Sequence, residues 1–124
     1  MNTEIKEMTP RELAEYIVKA VDAKKAKNIK LLRIDDKTVL ADYFVICGGN
    51  SNTQIKAIAG EVEEKLNELG IAPHHIEGYN EGIWTVLDYS SVIVHIFNRE
   101  ARDFYKLEKL WSDAEDVDIS SLLV

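Results

Sequence analysis

A glycine-rich turn is the first place where this sequence could hold a ligand. Gly48-Gly49-Asn50-Ser51 stands between an apolar run and the predicted start of a helix. The unpaired N–H groups and the positive dipole end of a helix N-terminus attract anions. Nucleotide-transferring folds place a Gly-Gly or Gly-Ser turn at this point. Two interpretations therefore stay open: a phosphate or nucleotide site, or a tight turn before a capped helix.

Catalysis at such a turn would need carboxylates that hold a metal ion. On a strand, two acids reach the same side only when one residue separates them. Asp88 stands alone at the end of a predicted strand, with Val86 two positions before it. Asp35 and Asp36 are adjacent, so they would point to opposite faces of an extended chain. We therefore predict that the protein is not an enzyme.

Nucleophilic and metal-binding side chains are equally sparse. The single cysteine, Cys47, lies in an apolar run without the nearby base that a nucleophile requires. The adjacent His74 and His75 would diverge in a strand, and His95 interrupts an apolar run in the manner of a core histidine. We expect an inert buried thiol, no metal site and no cofactor.

Aromatic residues in the second half of the chain point to recognition. Trp84 shares one face of a predicted strand with Val86 and Asp88, while the other face is also apolar. The last predicted helix carries more apolar residues than one core-facing stripe needs: Phe104, Tyr105, Leu107, Leu110 and Trp111. A Trp beside an acid is typical of a protein interface, but core packing explains the same pattern.

The elements that must position these residues follow from capping signals and apolar periodicity. Thr9 with Glu12, and Ser51 with Gln54, form capping boxes that start the first two helices. The patterns predict strands at 29–34, 43–47, 74–79, 83–87 and 92–97, the last two as an antiparallel hairpin, and a final helix at 99–111. This order predicts an α/β (α+β) fold, with a single mixed β-sheet of about five strands and flanking helices.

Length, charge and composition limit the class of protein. The 124 residues suit one domain, assigned to residues 1–111, followed by an acidic stretch at 112–124 that we expect to be loose. The net charge of −7 argues against a general nucleic-acid binder, so we expect little direct RNA binding. No apolar run reaches the roughly 20 residues of a membrane helix. The first residues lack a signal-peptide pattern, so we expect no membrane partner and a cytoplasmic location.

Several stretches, taken together and in order, resemble one family. They are Ala41-Asp42-Tyr43-Phe44-Val45-Ile46, Gly49-x-Ser51-x-x-Gln54, Trp84-Thr85-Val86-Leu87-Asp88-Tyr89, Val92-Ile93-Val94-His95-Ile96-Phe97 and Ala101-Arg102-x-Phe104-Tyr105-x-Leu107-Glu108-x-Leu110-Trp111. From Thr9 to Trp111 the sequence is thus similar to the ribosomal silencing factor family, also called Iojap or RsfS. The resemblance implies a nucleotidyltransferase-like fold without catalytic carboxylates, in agreement with the missing acidic pair.

The resemblance implies a binding function. Members of the family bind ribosomal protein fourteen of the large ribosomal subunit and sterically block joining of the small subunit, which represses translation under nutrient limitation. The resemblance also implies a homodimer when the protein is free. By position, the partner-binding residues would be Trp84 as apolar anchor, Asp88 and Glu108 as acids that meet basic groups, and Tyr89, Tyr105 and Trp111 beside them.

Overall fold

One mixed sheet with helices on both faces organises the protein, as seen in a computed structural model that describes residues 8–124. The helices are α1 (Pro10–Ala23), α2 (Asn52–Glu68), α3 (Arg99–Tyr105) and α4 (Leu107–Leu110). The strands are β1 (Lys27–Arg33), β2 (Tyr43–Gly49), β3 (His75–Glu77), β4 (Trp84–Asp88), β5 (Val92–Asn98) and β6 (Glu115–Asp116). The predicted fold class is confirmed, with six strands instead of about five.

The strand order is β3-β4-β5-β2-β1-β6. The central pair β2 and β5 is parallel, and every other neighbouring pair is antiparallel. The predicted hairpin of β4 and β5 is confirmed, and its turn is closed by the Tyr89 N–H donating to the Val92 carbonyl at 2.9 Å. β2 is buried along its whole length because helices cover both of its faces.

The two faces of the sheet are covered unequally. α1 and α2, with 14 and 17 residues, pack over one face, which we call the α1–α2 face. The opposite α3–α4 face carries a smaller core cluster of Leu32, Ile34, Ala41, Phe44, Ile46, Phe97, Ala101 and Leu107. Its helices have only 7 and 4 residues, so part of this face reaches solvent.

Side-chain caps start the long helices as predicted, with one difference. At α1 the Thr9 hydroxyl accepts from the Glu12 N–H at 3.1 Å, and the Glu12 carboxylate accepts from the Thr9 N–H at 2.9 Å. Ser51 caps α2 by accepting from the Gln54 N–H. The predicted reciprocal bond from Gln54 to Ser51 is wrong, because the Gln54 amide accepts from the Asn50 N–H and donates to the Lys24 and Lys25 carbonyls.

Two local predictions are wrong near the parallel pair of strands. Gly48 and Gly49 do not form a turn, since they pair with Phe97 and Asn98 as the last residues of β2. The predicted single helix at 99–111 is broken at Lys106, whose φ of 49° and ψ of 51° are left-handed. The chain therefore forms the short helices α3 and α4 in place of one continuous helix.

The prediction of a loose stretch at 112–124 is also wrong. β6 pairs with β1, with Leu32 opposite Asp116 and Arg33 opposite Glu115. The Val117 N–H donates to the Leu31 carbonyl at 2.8 Å, and the Val117 side chain is buried in the core. The apolar residues of this acidic stretch thus fix it against the sheet.

Candidate functional site

An aromatic cluster occupies the α3–α4 face and extends from the core to the surface. Antiparallel register puts Trp84 opposite Phe97 and Val86 opposite His95, so alternate side chains of β4 and β5 share this face. The Trp84 ring stacks on Phe97 at 4.8 Å between centroids and lies 4.8 Å from the Tyr105 ring. His95 then continues the cluster to Phe44 at 4.7 Å, which in turn contacts Trp111 at 5.4 Å.

A hydrogen bond holds Trp84 in this cluster. The Trp84 indole N–H donates to Nδ1 of His95 at 3.1 Å. A neutral His95 that accepts at Nδ1 carries its proton on Nε2. Trp84 is half-buried, with one ring face against Phe97, so the interface and core interpretations each describe one part of its side chain.

Exposed apolar side chains lie on α3 and α4, the short helices of the same face. Phe104 is 78% exposed and Leu110 is 75% exposed, while Tyr105 is 47% exposed and links Phe104 to Trp84. Soluble monomers rarely expose contiguous apolar patches of large area unless the patch has a partner. We define the aromatic surface as Trp84, Phe104, Tyr105, Leu110 and Trp111.

The structure brings together three of the six predicted partner-binding residues. Trp84 and Tyr105 are in direct contact, and Trp111 joins them through Phe44 and His95. Asp88 lies on the same face of β4, four residues from Trp84 and thus about 13 Å away, where its carboxylate accepts from the Ser90 N–H.

The other two predicted residues have contacts within the chain. Tyr89 is 6% exposed and belongs to the core cluster of the α1–α2 face. Glu108 accepts from Arg102 at 2.8 and 3.0 Å. Burial would raise the pKa of Glu108, but the hydrogen bonds and charge of Arg102 outweigh it and hold that pKa below its ordinary value.

Sequence reasoning missed the residues that support the aromatic surface. Phe44 lies within an unbroken apolar run, which does not show which face each side chain takes. Arg102 ties α3 to the sheet by donating to the Lys27 and Asn28 carbonyls at 3.3 and 2.7 Å. Only the fold brings Arg102 to these partners, which lie more than 70 positions away in sequence. The sequence signals that locate the surface are the surplus of aromatic residues at 104–111 and the position of Trp84 on one strand face with Asp88.

The remaining side chains that could act as nucleophiles or metal ligands lie in positions that favour a structural role. Cys47 is fully buried, and burial raises the pKa of its thiol to about 12. Within residues 8–124, no group of three or more His, Cys, Asp or Glu side chains is arranged to hold a metal ion. No helix of this part of the chain combines the length and apolar character needed to cross a membrane.

We expect His95 to make stability depend on pH. Burial lowers the pKa of His95 to about 4, below its ordinary value of 6.5. As the pH falls, the unfolded chain takes up this proton at a higher pH than the folded protein does. The free energy of unfolding is therefore greatest above pH 6.5 and falls as the pH drops towards 4. The loss between pH 8 and pH 5 is about 2 kcal/mol, measurable by urea unfolding at both pH values.

The variant His95→Gln should lose most of this pH dependence, because an amide does not titrate in this range. His74 is exposed, so His74→Gln serves as the control and should retain the wild-type slope. Equal slopes for His95→Gln and the wild type would contradict this explanation.

Tyr89 offers a test of the structure on the α1–α2 face. Burial raises the pKa of Tyr89 to about 12, with the charge of Glu63 adding to the effect. Among residues 8–124 its hydroxyl has no hydrogen-bond partner. Burying a hydroxyl that has no hydrogen-bond partner lowers the free energy of unfolding, because the lost contacts with water are not replaced. Tyr89→Phe should therefore leave the free energy of unfolding unchanged or raise it by up to about 1 kcal/mol. A loss above 1 kcal/mol in urea unfolding would reveal a partner for the hydroxyl.

Comparison with known proteins gives a consistent result. A family model described as "Ribosomal silencing factor during starvation" matches residues 7–123. The chain is 40% identical to the ribosomal silencing factor RsfS of Halalkalibacterium halodurans, covering 94% of this chain and 99% of the relative. It is 38% identical to the protein of the same name from Bacillus subtilis, covering 90% and 95%. A crystal structure of a protein from Chromobacterium violaceum superimposes with a TM-score of 0.83 at 31% identity, covering 91% of this chain and 93% of the other.

Proposed function

The chain belongs to the ribosomal silencing factor family, and from that premise we propose that it binds the large ribosomal subunit and blocks joining of the small subunit. The proposed contact is ribosomal protein fourteen of the large subunit. The proposed outcome is repression of translation when nutrients are scarce. The observation that carries this proposal is the aromatic surface around Trp84.

The chemistry of the aromatic surface favours a protein as partner. Trp and Tyr are over-represented among the residues that dominate binding energy at protein interfaces. The five side chains of this surface are all uncharged, whereas a phosphate backbone is bound mainly by cations. A protein surface with an apolar pocket or groove is therefore the partner that these side chains fit best.

Trp84 is the proposed anchor because its position is fixed before binding. Stacking on Phe97 and the hydrogen bond to His95 hold the ring in one orientation. A side chain that is already ordered loses little conformational entropy when a partner binds. Tyr105 supports the ring from α3, and Trp111 extends the apolar contact along the same face.

Charge supports a basic protein as the target. The chain has a net charge of −7, and opposite charge on a partner accelerates encounter. We propose that the half-buried Asp88 meets a basic group at the rim of the interface, where it adds specificity rather than most of the affinity. Glu108, already paired with Arg102, is a weaker candidate for the same role.

The proposed action is steric. A bound protein of 124 residues occupies the face of the large subunit that meets the small subunit, so no bond-making step is required. The expected homodimer of the free protein and the cytoplasmic location stay predictions.

A direct binding experiment tests the proposal. Immobilised protein is exposed to purified large subunits, purified small subunits and purified ribosomal protein fourteen, and binding is followed by biolayer interferometry. We expect binding of large subunits and of ribosomal protein fourteen, with no binding of small subunits. Failure to bind large subunits would refute the proposal. If the protein binds large subunits but does not bind purified ribosomal protein fourteen, the proposed contact is refuted.

A further inference from the structure

A groove rich in cations borders the aromatic surface. Two adjoining depressions of about 520 and 500 Å³ share Asn28, Arg102 and Asp103 in their walls. Together they run from the end of β2, past the start of β1, to α4. We call this feature the basic groove, after its six cationic residues: Lys27, Lys30, Arg99, Arg102, Lys106 and Lys109.

The charge of the groove is opposite to that of the whole chain. Only Asp103 and Glu108 oppose the six cations in its walls, which leaves a net charge of +4 in a chain of −7. Arg102 is paired with Glu108, and Lys30 with Asp116 at 3.2 Å.

The four other cations of the groove are solvent-exposed: Lys27, Arg99, Lys106 and Lys109. In the part of the chain from 8 to 124, none of them has a carboxylate within 4.0 Å. Their charges are therefore available to an anionic ligand.

The fold assembles this groove from distant parts of the sequence. Arg102 donates to the carbonyls of Lys27 and Asn28, which holds α3 against the first residues of β1. The pairing of β1 with β2 is irregular at this point, between Lys27 and Lys30. The left-handed Lys106 then starts α4, which carries Lys109. Cations more than 70 positions apart in sequence thus line one depression.

We propose that the basic groove binds the phosphodiester backbone of RNA. Exposed lysines act as point charges on flexible stems, and such contacts to phosphate give affinity without reading sequence. The groove is elongated, and its cations are spread along it, as a chain of phosphates requires. The inference deepens the proposed function and rests on it for the source of the RNA.

The position of the groove supports this ligand. Tyr105 belongs to the aromatic surface, and the next residue, Lys106, lines the groove. If the aromatic surface contacts a protein embedded in an RNA-rich particle, the groove lies at the rim of that contact and faces neighbouring RNA. The expectation of little direct RNA binding rested on the summed charge, which does not show this separation of charges.

A small nucleotide fits the groove less well. The apolar residue in its wall is Phe97, which is fully buried and already stacked on Trp84, so it is not available to a base. A nucleotide site commonly adds apolar walls and a few convergent polar groups for specificity. The basic groove offers dispersed charge instead.

The test uses the full chain and a fluorescein-labelled RNA hairpin, with binding followed by anisotropy at several salt concentrations. The groove variant carries Lys27→Gln, Lys106→Gln and Lys109→Gln. The matched control carries Lys19→Gln, Lys56→Gln and Lys65→Gln on α1 and α2, which changes the net charge equally. We expect the groove variant to bind the hairpin at least tenfold more weakly and its log–log salt slope to fall by roughly 2 to 3. The control should bind within twofold of the wild type.

Three results would overturn the proposal. The first is no binding of the hairpin by the wild type at low salt. The second is an equal loss in the groove variant and the control. The third is stoichiometric binding of ATP by calorimetry that displaces the hairpin, which would assign the groove to a small nucleotide.

Trp84→Ala separates this proposal from the proposed function. It should retain hairpin binding, since Trp84 does not line the groove, and loss of hairpin binding in this variant would also contradict the proposal. If the wild type binds the hairpin but not large subunits, the proposed function fails while the groove stands.

Discussion

Trp84→Ala should lower the affinity for large ribosomal subunits by about 30- to 1000-fold, the equivalent of roughly 2–4 kcal/mol for an anchor residue. The substitution removes the half-buried ring that links Phe97 to the exposed Tyr105. It also leaves Nδ1 of His95 without its donor. The affinity is measured by titrating labelled protein with purified large subunits.

Controls separate loss of contact from loss of fold. Val62→Ala removes fully buried methyl groups on the opposite α1–α2 face, so it should lower stability while leaving affinity unchanged. Tyr89→Phe should also bind like the wild type, because Tyr89 lies in that same core. If Trp84→Ala binds within threefold of the wild type while folded, Trp84 is not the anchor.

Gly78→Ala should lower the free energy of unfolding by about 3 kcal/mol or more. Gly78 has a φ of 75°, in the left-handed region that side chains disfavour. A Cβ at this position would also overlap the Trp84 carbonyl oxygen and lie 3.1 Å from its carbon. Both of those atoms belong to the backbone of β4, which must shift to relieve the overlap.

The same substitution at Gly60 should have the opposite sign. Gly60 lies inside α2, and a Cβ there meets nothing within 4 Å. Gly60→Ala should therefore raise the free energy of unfolding by about 0.5–1 kcal/mol, through helix propensity alone. Urea unfolding of both variants checks the pair, and a Gly78→Ala loss below 1 kcal/mol would contradict the left-handed backbone of Gly78 and its close approach to β4. Because the strain falls on β4 beside Trp84, we also expect Gly78→Ala to weaken binding of the large subunit.

Local sequence signals predicted the elements whose causes are themselves local. The Thr9 and Glu12 box needs residues three positions apart, and the structure shows both of its bonds. The apolar run that begins at Tyr43 predicted a strand covered on both faces, and all of β2 is buried. The resemblance to the ribosomal silencing factor family, built on such stretches, is confirmed as well.

Features that depend on distant contacts could not be predicted in this way. Gln54 matches a capping box, but its side chain instead reaches the end of α1. The apolar pattern of 99–111 continues through Lys106, whose left-handed backbone ends α3. β6 has only two residues and exists because β1 offers a free edge.

In the candidate site, too, the features with local causes were predicted and those that depend on distant contacts were not. Trp84 and Tyr105 were predicted from residue type and resemblance, and the fold brings them into contact. The support from Phe44 and His95 requires the register of β2, β4 and β5, and the support from Arg102 requires the packing of α3 against β1. Sequence periodicity gives neither. The basic groove was hidden in the same way, because summed charge does not show which cations converge.

Light scattering of subunit joining tests the central claim most directly. Large subunits are incubated with the protein at a concentration that saturates them, and small subunits are then added. We predict that the wild type suppresses joining of the small subunit, while Trp84→Ala, at the same concentration and below its own weaker Kd, leaves most joining intact. Full joining of large subunits that are saturated with the wild-type protein would contradict the claim.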